Sequence, residues 1–183
     1  NITRFFTATS QLTAADGTVT EVRTYLMIFM RSLKLAIIST VICLGMGYPL
    51  AYIMARAEEK TQRIMMTLIM IPMWMNFLIR TYAWMTILQD TGIFNSVLGV
   101  FGIDPVHIIG TEGAVIIGMV YDFLPFMILP IYTTIIKIDK SYLEAAKDLG
   151  ATGAKAFIKV TLPLSKSGII SGVSMVFLPS MTN

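Results

Sequence analysis

Four long apolar runs, separated by polar or charged intervals, set the frame of this chain. They lie at about Leu35 to Ala55, Ile64 to Leu88, Glu112 to Ile136, and from Leu164 to the end. The first holds 21 residues. As a helix it would cover ~30 Å, the thickness of a bilayer's hydrocarbon core. Each run predicts a membrane-spanning helix. The fold class is therefore all-α integral membrane, a polytopic helical bundle forming one transmembrane domain over 1–183. Pro72 interrupts the second run, and Pro125 and Pro130 the third. Gly45, Gly47 and Pro49 in the first run predict close helix packing through small residues, and the last run is rich in small residues from Ser165 to Ser174.

The intervals differ in kind. Residues 1–24 are polar and threonine-rich, with Ala15-Asp16-Gly17 between two loosely alternating stretches. That pattern predicts a small hairpin. Residues 56–63 form a short charged loop. Residues 89–111 are too short and polar to span, and predict a short interfacial helix around Ile93 to Val100. The interval 137–163 is the longest water-compatible stretch after the first span. Its part from Ser141 reads as helix, glycine break, helix and proline stop. Ser141 and Glu144 have capping-box spacing. Gly150 suits a left-handed helix end. Thr152 can start the second helix, and Pro163 cannot continue it without losing a backbone bond.

Charge orients the pattern. Arg56, Lys60 and Arg63 lie in one interval, and Lys137, Lys140, Lys147, Lys155, Lys159 and Lys166 in or beside another. The interval 89–111 has neither lysine nor arginine. The positive-inside rule places 56–63 and 137–163 in the cytoplasm, and 1–24 and 89–111 outside. Arg31 and Lys34 precede the first span and can snorkel to the interface.

Composition agrees with a membrane protein: 55% hydrophobic, 14% charged, and a mean hydropathy of +0.72. A net charge of +3 without a dense basic run points away from nucleic acid. Cys43 and His107 are the only residues of their types. They make neither a disulfide framework nor a zinc set. No phosphate-cradling glycine loop and no Ser-His-Asp set is present, so no enzyme is expected here.

Glu144-Ala145-Ala146, then Gly150 after three residues, then Leu162-Pro163, resemble the EAA loop of permease subunits of bacterial ABC importers. Val160 stands where that motif carries isoleucine. The resemblance implies the type I, MetI-like permease fold of about six membrane helices. Asn1 is not an initiator methionine, and Asn183 ends an apolar run barely completed. At least one helix before Asn1 and one or more after Asn183 are therefore expected outside this sequence.

The resemblance further implies a second permease subunit, two ATP-binding subunits and an extracellular substrate-binding protein. This chain would hold no cofactor, with ATP and magnesium bound by the partners. The expected coupling residues are Glu144, Ala145, Ala146, Gly150, Phe157, Leu162 and Pro163. Phe157 and Ile158, flanked by Lys155 and Lys159, would anchor the ATPase. Leu143 and Leu149 would hold the hairpin against its own membrane helices. Glu144 would pair with Lys140 or Lys147, or across the interface.

The segments around Pro72, Trp74, Asn76 and Arg80, and around Asp122, are similar to polyamine (spermidine/putrescine) importer permeases. Trp74, Arg80, Tyr82 and Asp122 are the substrate-path candidates. A carboxylate among aromatic rings offers a cation both a counter-charge and π-faces. The family favours an apolar residue at the position of Asp122, so its role rests on its own chemistry. Arg80 has a bland alternative in snorkelling or a structural ion pair. Trp74 and Tyr82 have one in the interfacial aromatic belt. The rival functions are a permease for iron, an amino acid or a phosphonate, and a channel or ion-coupled carrier without an ATPase.

Overall fold

The computed structural model describes residues 10–13, 19–22, 24–102, 104 and 106–182. Strands β1 (Ser10–Thr13) and β2 (Val19–Val22) pair antiparallel, with Ser10 opposite Val22 and Thr13 opposite Val19. The expected turn at Ala15-Asp16-Gly17 lies outside the described residues. Helices follow: α1 (Thr24–Arg56), α2 (Glu59–Trp74), α3 (Phe77–Leu88), α4 (Ile93–Val100) and α5 (Glu112–Ile135). The hairpin consists of α6 (Lys140–Asp148), α7 (Gly153–Ala156), a π turn (Phe157–Thr161) and α8 (Leu162–Leu164). Helix α9 (Lys166–Thr182) completes the described chain.

Helix α1 starts at Thr24 rather than near Leu35, and runs for 33 residues. At 1.5 Å per residue it is ~50 Å long, more than the hydrocarbon needs. Hydropathy reads where the solvent changes, not where a helix begins. The early turns of α1 are tied to the start of α5: Glu112 meets Arg31 at 3.3 Å and Lys34 at 3.0 Å.

The second apolar run is not one straight helix. It breaks between α2 and α3, and the line from α2 through the segment Leu78–Val100 is bent by 98°. Pro72 lies in the last turn of α2, where its missing N–H weakens the ladder. Asn76 then caps α3, its side chain accepting from the Leu78 N–H at 2.8 Å. Helix α4 has the bounds that the sequence suggests. Among the described residues, α1 and α5 are each long and apolar enough to cross a membrane alone. Two bent pairs raise the number of spans to as many as four.

Helices α1, α5 and α9 pack together, and their core holds Cys43, Ala51, Met54, Met127, Ile128, Ile131 and Val176. Backbones approach closely where glycine lines the contact. A Cβ on Gly47 would lie 2.9 Å from Met127, and one on Gly168 2.6 Å from the Thr134 hydroxyl. Outward-facing side chains such as Val41, Leu68, Ile79 and Leu178 are apolar and exposed. That pattern suits lipid or further helices as the surroundings.

Candidate functional site: a capped hairpin and a charged pair between helices

The hairpin lies at the same end of the bundle as the 56–63 loop. Together they enclose a cleft of about 570 Å³, lined by Arg56, Glu58, Glu59, Gln62, Leu143, Glu144 and Lys147 among others. Its construction starts at Asp139. The Asp139 carboxylate accepts from the Ser141 N–H at 2.9 Å and caps α6. That bond holds the carboxyl below the ordinary carboxylate range. The Ser141–Glu144 capping box is therefore corrected. Both residues sit inside the helix because Asp139 starts it two residues earlier.

The other end of α6 closes as a Schellman motif. Gly150 has φ +79°. Its N–H donates to the Lys147 carbonyl at 2.8 Å, and the Ala151 N–H donates to the Ala146 carbonyl at 2.9 Å. Thr152 then caps α7, accepting from the Lys155 N–H at 3.4 Å.

Pro163 does not stop the helix, contrary to the sequence reading. The preceding turn widens to π, with the Leu162 N–H reaching back to the Phe157 carbonyl. In α register the proline ring would crowd the Lys159 carbonyl, and the wider turn relieves that clash. Helical bonding continues through the Ser165 N–H to the Thr161 carbonyl at 2.9 Å. The direction changes by 62° between the segment Gly153–Leu164 and α9. Ser165 stands at this bend, its hydroxyl 2.9 Å from that of Tyr48 and 3.0 Å from the Leu162 carbonyl.

Phe157 and Leu149 exchange the places expected of them, while Leu143 and Ile158 keep theirs. Phe157 faces inward, in edge contact with Tyr48 at 5.7 Å and Tyr52 at 5.0 Å between centroids. It ties the hairpin to α1, its part-buried ring packed against both tyrosines. Leu149 is 89% exposed at the hairpin tip. Ile158, Ala145, Leu162 and Pro163 are exposed, while Ala146 and Leu143 are part-buried. Glu144 is exposed and lines the cleft beside Lys147; the Lys140 side chain lies outside the described residues.

The path candidates divide into two pairs. Trp74 and Tyr82 are 85% and 68% exposed. Arg80 and Asp122 come together: Arg80 Nε lies 2.8 Å from Asp122 Oδ1, and their side chains are 15% and 16% exposed. Arg80 Nη1 also donates to the Pro72 carbonyl at 3.1 Å. The guanidinium lies 5.9 Å from the Tyr121 ring centroid, and Trp84 makes an edge contact with Tyr121 at 5.0 Å. The sequence marks both charges as candidates but does not pair them, and the roles of Tyr48, Tyr52 and Asp139 are not among its expectations. For Asp139 a signal existed, because aspartate is as good a cap as serine.

Residues 47–183, which contain both the hairpin and the charged pair, match the family model described as binding-protein-dependent transport system inner membrane component. The chain belongs to that family. That is a family of ABC-transporter permeases, which are not themselves catalytic, and this chain is a multi-pass membrane member of it. Relatives of this chain include the spermidine/putrescine transport system permease protein PotB of three bacteria. The Haemophilus influenzae protein is 45% identical over 159 residues, covering 86% of this chain and 56% of the relative. The proteins of Escherichia coli K12 and Salmonella typhimurium SL1344 are 42% identical over the same length and the same share of this chain. That covers 58% and 55% of the relatives, respectively. The chain thus spans about half the length of the curated relatives that it matches.

Proposed function

We propose that this chain lines part of the translocation path of an ATP-driven importer of spermidine and putrescine, and receives its drive through the hairpin. The observation that carries the reading is the 42–45% identity to permeases named for those polyamines, over most of this chain. Asp122 supports it as a counter-charge for a cation at membrane depth, with Tyr121 and Trp84 supplying aromatic faces.

In this reading the lysine-rich hairpin and the 56–63 loop face the cytoplasm, and 1–24 and 89–111 lie outside. An ATP-binding subunit seats on the exposed tip at Leu149 and Gly150. Phe157 transmits its movement to α1 through Tyr48 and Tyr52, and the bend at Ser165 passes it to α9. The complex holds a second permease, two ATP-binding subunits that carry ATP and magnesium, and an extracellular binding protein that sets most of the selectivity. The permease offers a weak passage that alternates between outward and inward openings.

The test is uptake of labelled spermidine and putrescine by the complex of the full-length protein in proteoliposomes. ATP-dependent accumulation of either is expected. Strong uptake of another solute and none of polyamine would overturn the substrate while leaving the permease family intact.

A further inference from the structure

We propose that Arg80 is a resident cation, occupying the Asp122 carboxylate that a substrate ammonium takes during passage. The pair is then a latch that the substrate's own charge opens. The proposal rests on the polyamine reading and adds to it how the site is kept closed and then emptied.

Asp122 lies ten residues along α5 from Glu112. That is ~15 Å, about half of the hydrocarbon thickness. An ionised carboxylate at such depth is costly unless a cation meets it. Arg80 is that cation, and the described residues give Asp122 no other ion-pair or hydrogen-bond partner.

The grip is divided. Arg80 meets the carboxylate through Nε at Oδ1, while Nη1 is engaged by the Pro72 carbonyl. One terminal nitrogen is thus held by backbone rather than by the carboxylate. The Pro72 carbonyl lies where α2 ends before the break. When Arg80 leaves Asp122, that carbonyl retains the guanidinium, so its charge is not stranded. An arriving primary ammonium finds the same carboxylate and the same Tyr121 ring.

The two residues belong to different helices, Arg80 to α3 and Asp122 to α5. Displacing Arg80 removes the ionic tie between the two helices and leaves the Trp84–Tyr121 contact, so occupancy and helix separation are linked. The return of Arg80 drives the ammonium off by like-charge repulsion. Passage therefore needs no tight intermediate.

The test measures spermidine uptake by the full complex in proteoliposomes, with co-purification of its partner subunits as the assembly control. Asp122→Asn is expected to lower the maximal rate about tenfold, the factor for ~1.4 kcal/mol of lost interaction. Asp122→Glu keeps the charge and exceeds Asp122→Asn. Arg80→Gln lowers both the half-saturating spermidine concentration and the maximal rate, because an uncovered carboxylate holds the ammonium longer. The double variant Arg80→Gln/Asp122→Asn behaves as Asp122→Asn does. A double variant with parental rate and half-saturation would make the pair purely structural and overturn the latch, leaving the polyamine reading in place. A parental complex that takes up no polyamine would remove that reading itself, and the latch with it.

Discussion

Asp139 and Gly150 bracket the first hairpin helix, and each acts through one backbone feature. The Ser141 N–H lowers the Asp139 pKa because it favours the ionised carboxylate. A lowered folded-state pKa gives stability that is full above the unfolded value of about 3.9 and is lost as pH falls through the folded one. Protection of the Ser141 amide against hydrogen exchange is therefore expected to hold at neutral pH and fade in acid. Asp139→Asn should keep the protection without the pH dependence, and Asp139→Ala should lack it throughout. Gly150, at φ +79°, adopts a conformation that costs an ordinary residue about 1–2 kcal/mol.

These local features were legible in the sequence, because capping and turn chemistry act within a few residues. Gly150 and Thr152 hold the roles that their spacing suggests. Ser141 does not, because two cap-competent residues stood two positions apart and local chemistry could not choose between them. The Arg80–Asp122 pair was legible only as two separate charges. Their meeting depends on how α3 lies against α5, which no window of sequence contains.

Among the elements, the packing of α9 on α1 and α5 depends on residues without side chains. Without a hydrophobic force between helices in lipid, close approach and dispersion supply the attraction. Gly168→Val would push into Thr134 and the Pro130 carbonyl, 2.6 and 2.7 Å from a Cβ at that position. Overpacking of this kind costs about 1–3 kcal/mol. It is expected to lower the thermal midpoint of the detergent-solubilised protein. Gly118→Ala, with nothing within 4 Å of its Cβ, should leave the midpoint unchanged or raise it. The sequence shows the last run to be rich in small residues, but which of them meets a neighbour depends on how the helices lie together. The π turn before Pro163 was not legible. A proline forbids the α bond, but whether a helix ends or widens is decided by what holds its far side, here Ser165 against Tyr48.

For the whole molecule, the hairpin stands beside the 56–63 loop at one end, and the Glu112 ion pairs tie α1 to α5 at the other. The charged pair Arg80–Asp122 lies between them along α5. On the proposed reading, force enters at Leu149 and Gly150, passes through Phe157 and the Ser165 bend, and reaches the helices around Asp122. The measurement that tests this most directly compares ATP hydrolysis with spermidine uptake in the reconstituted complex carrying Gly150→Pro. Proline removes the N–H that closes the Schellman motif and forbids a positive φ. The complex is predicted to assemble and hydrolyse ATP while uptake is lost. Uptake at the parental rate would contradict the hairpin's role as the point where the permease is driven.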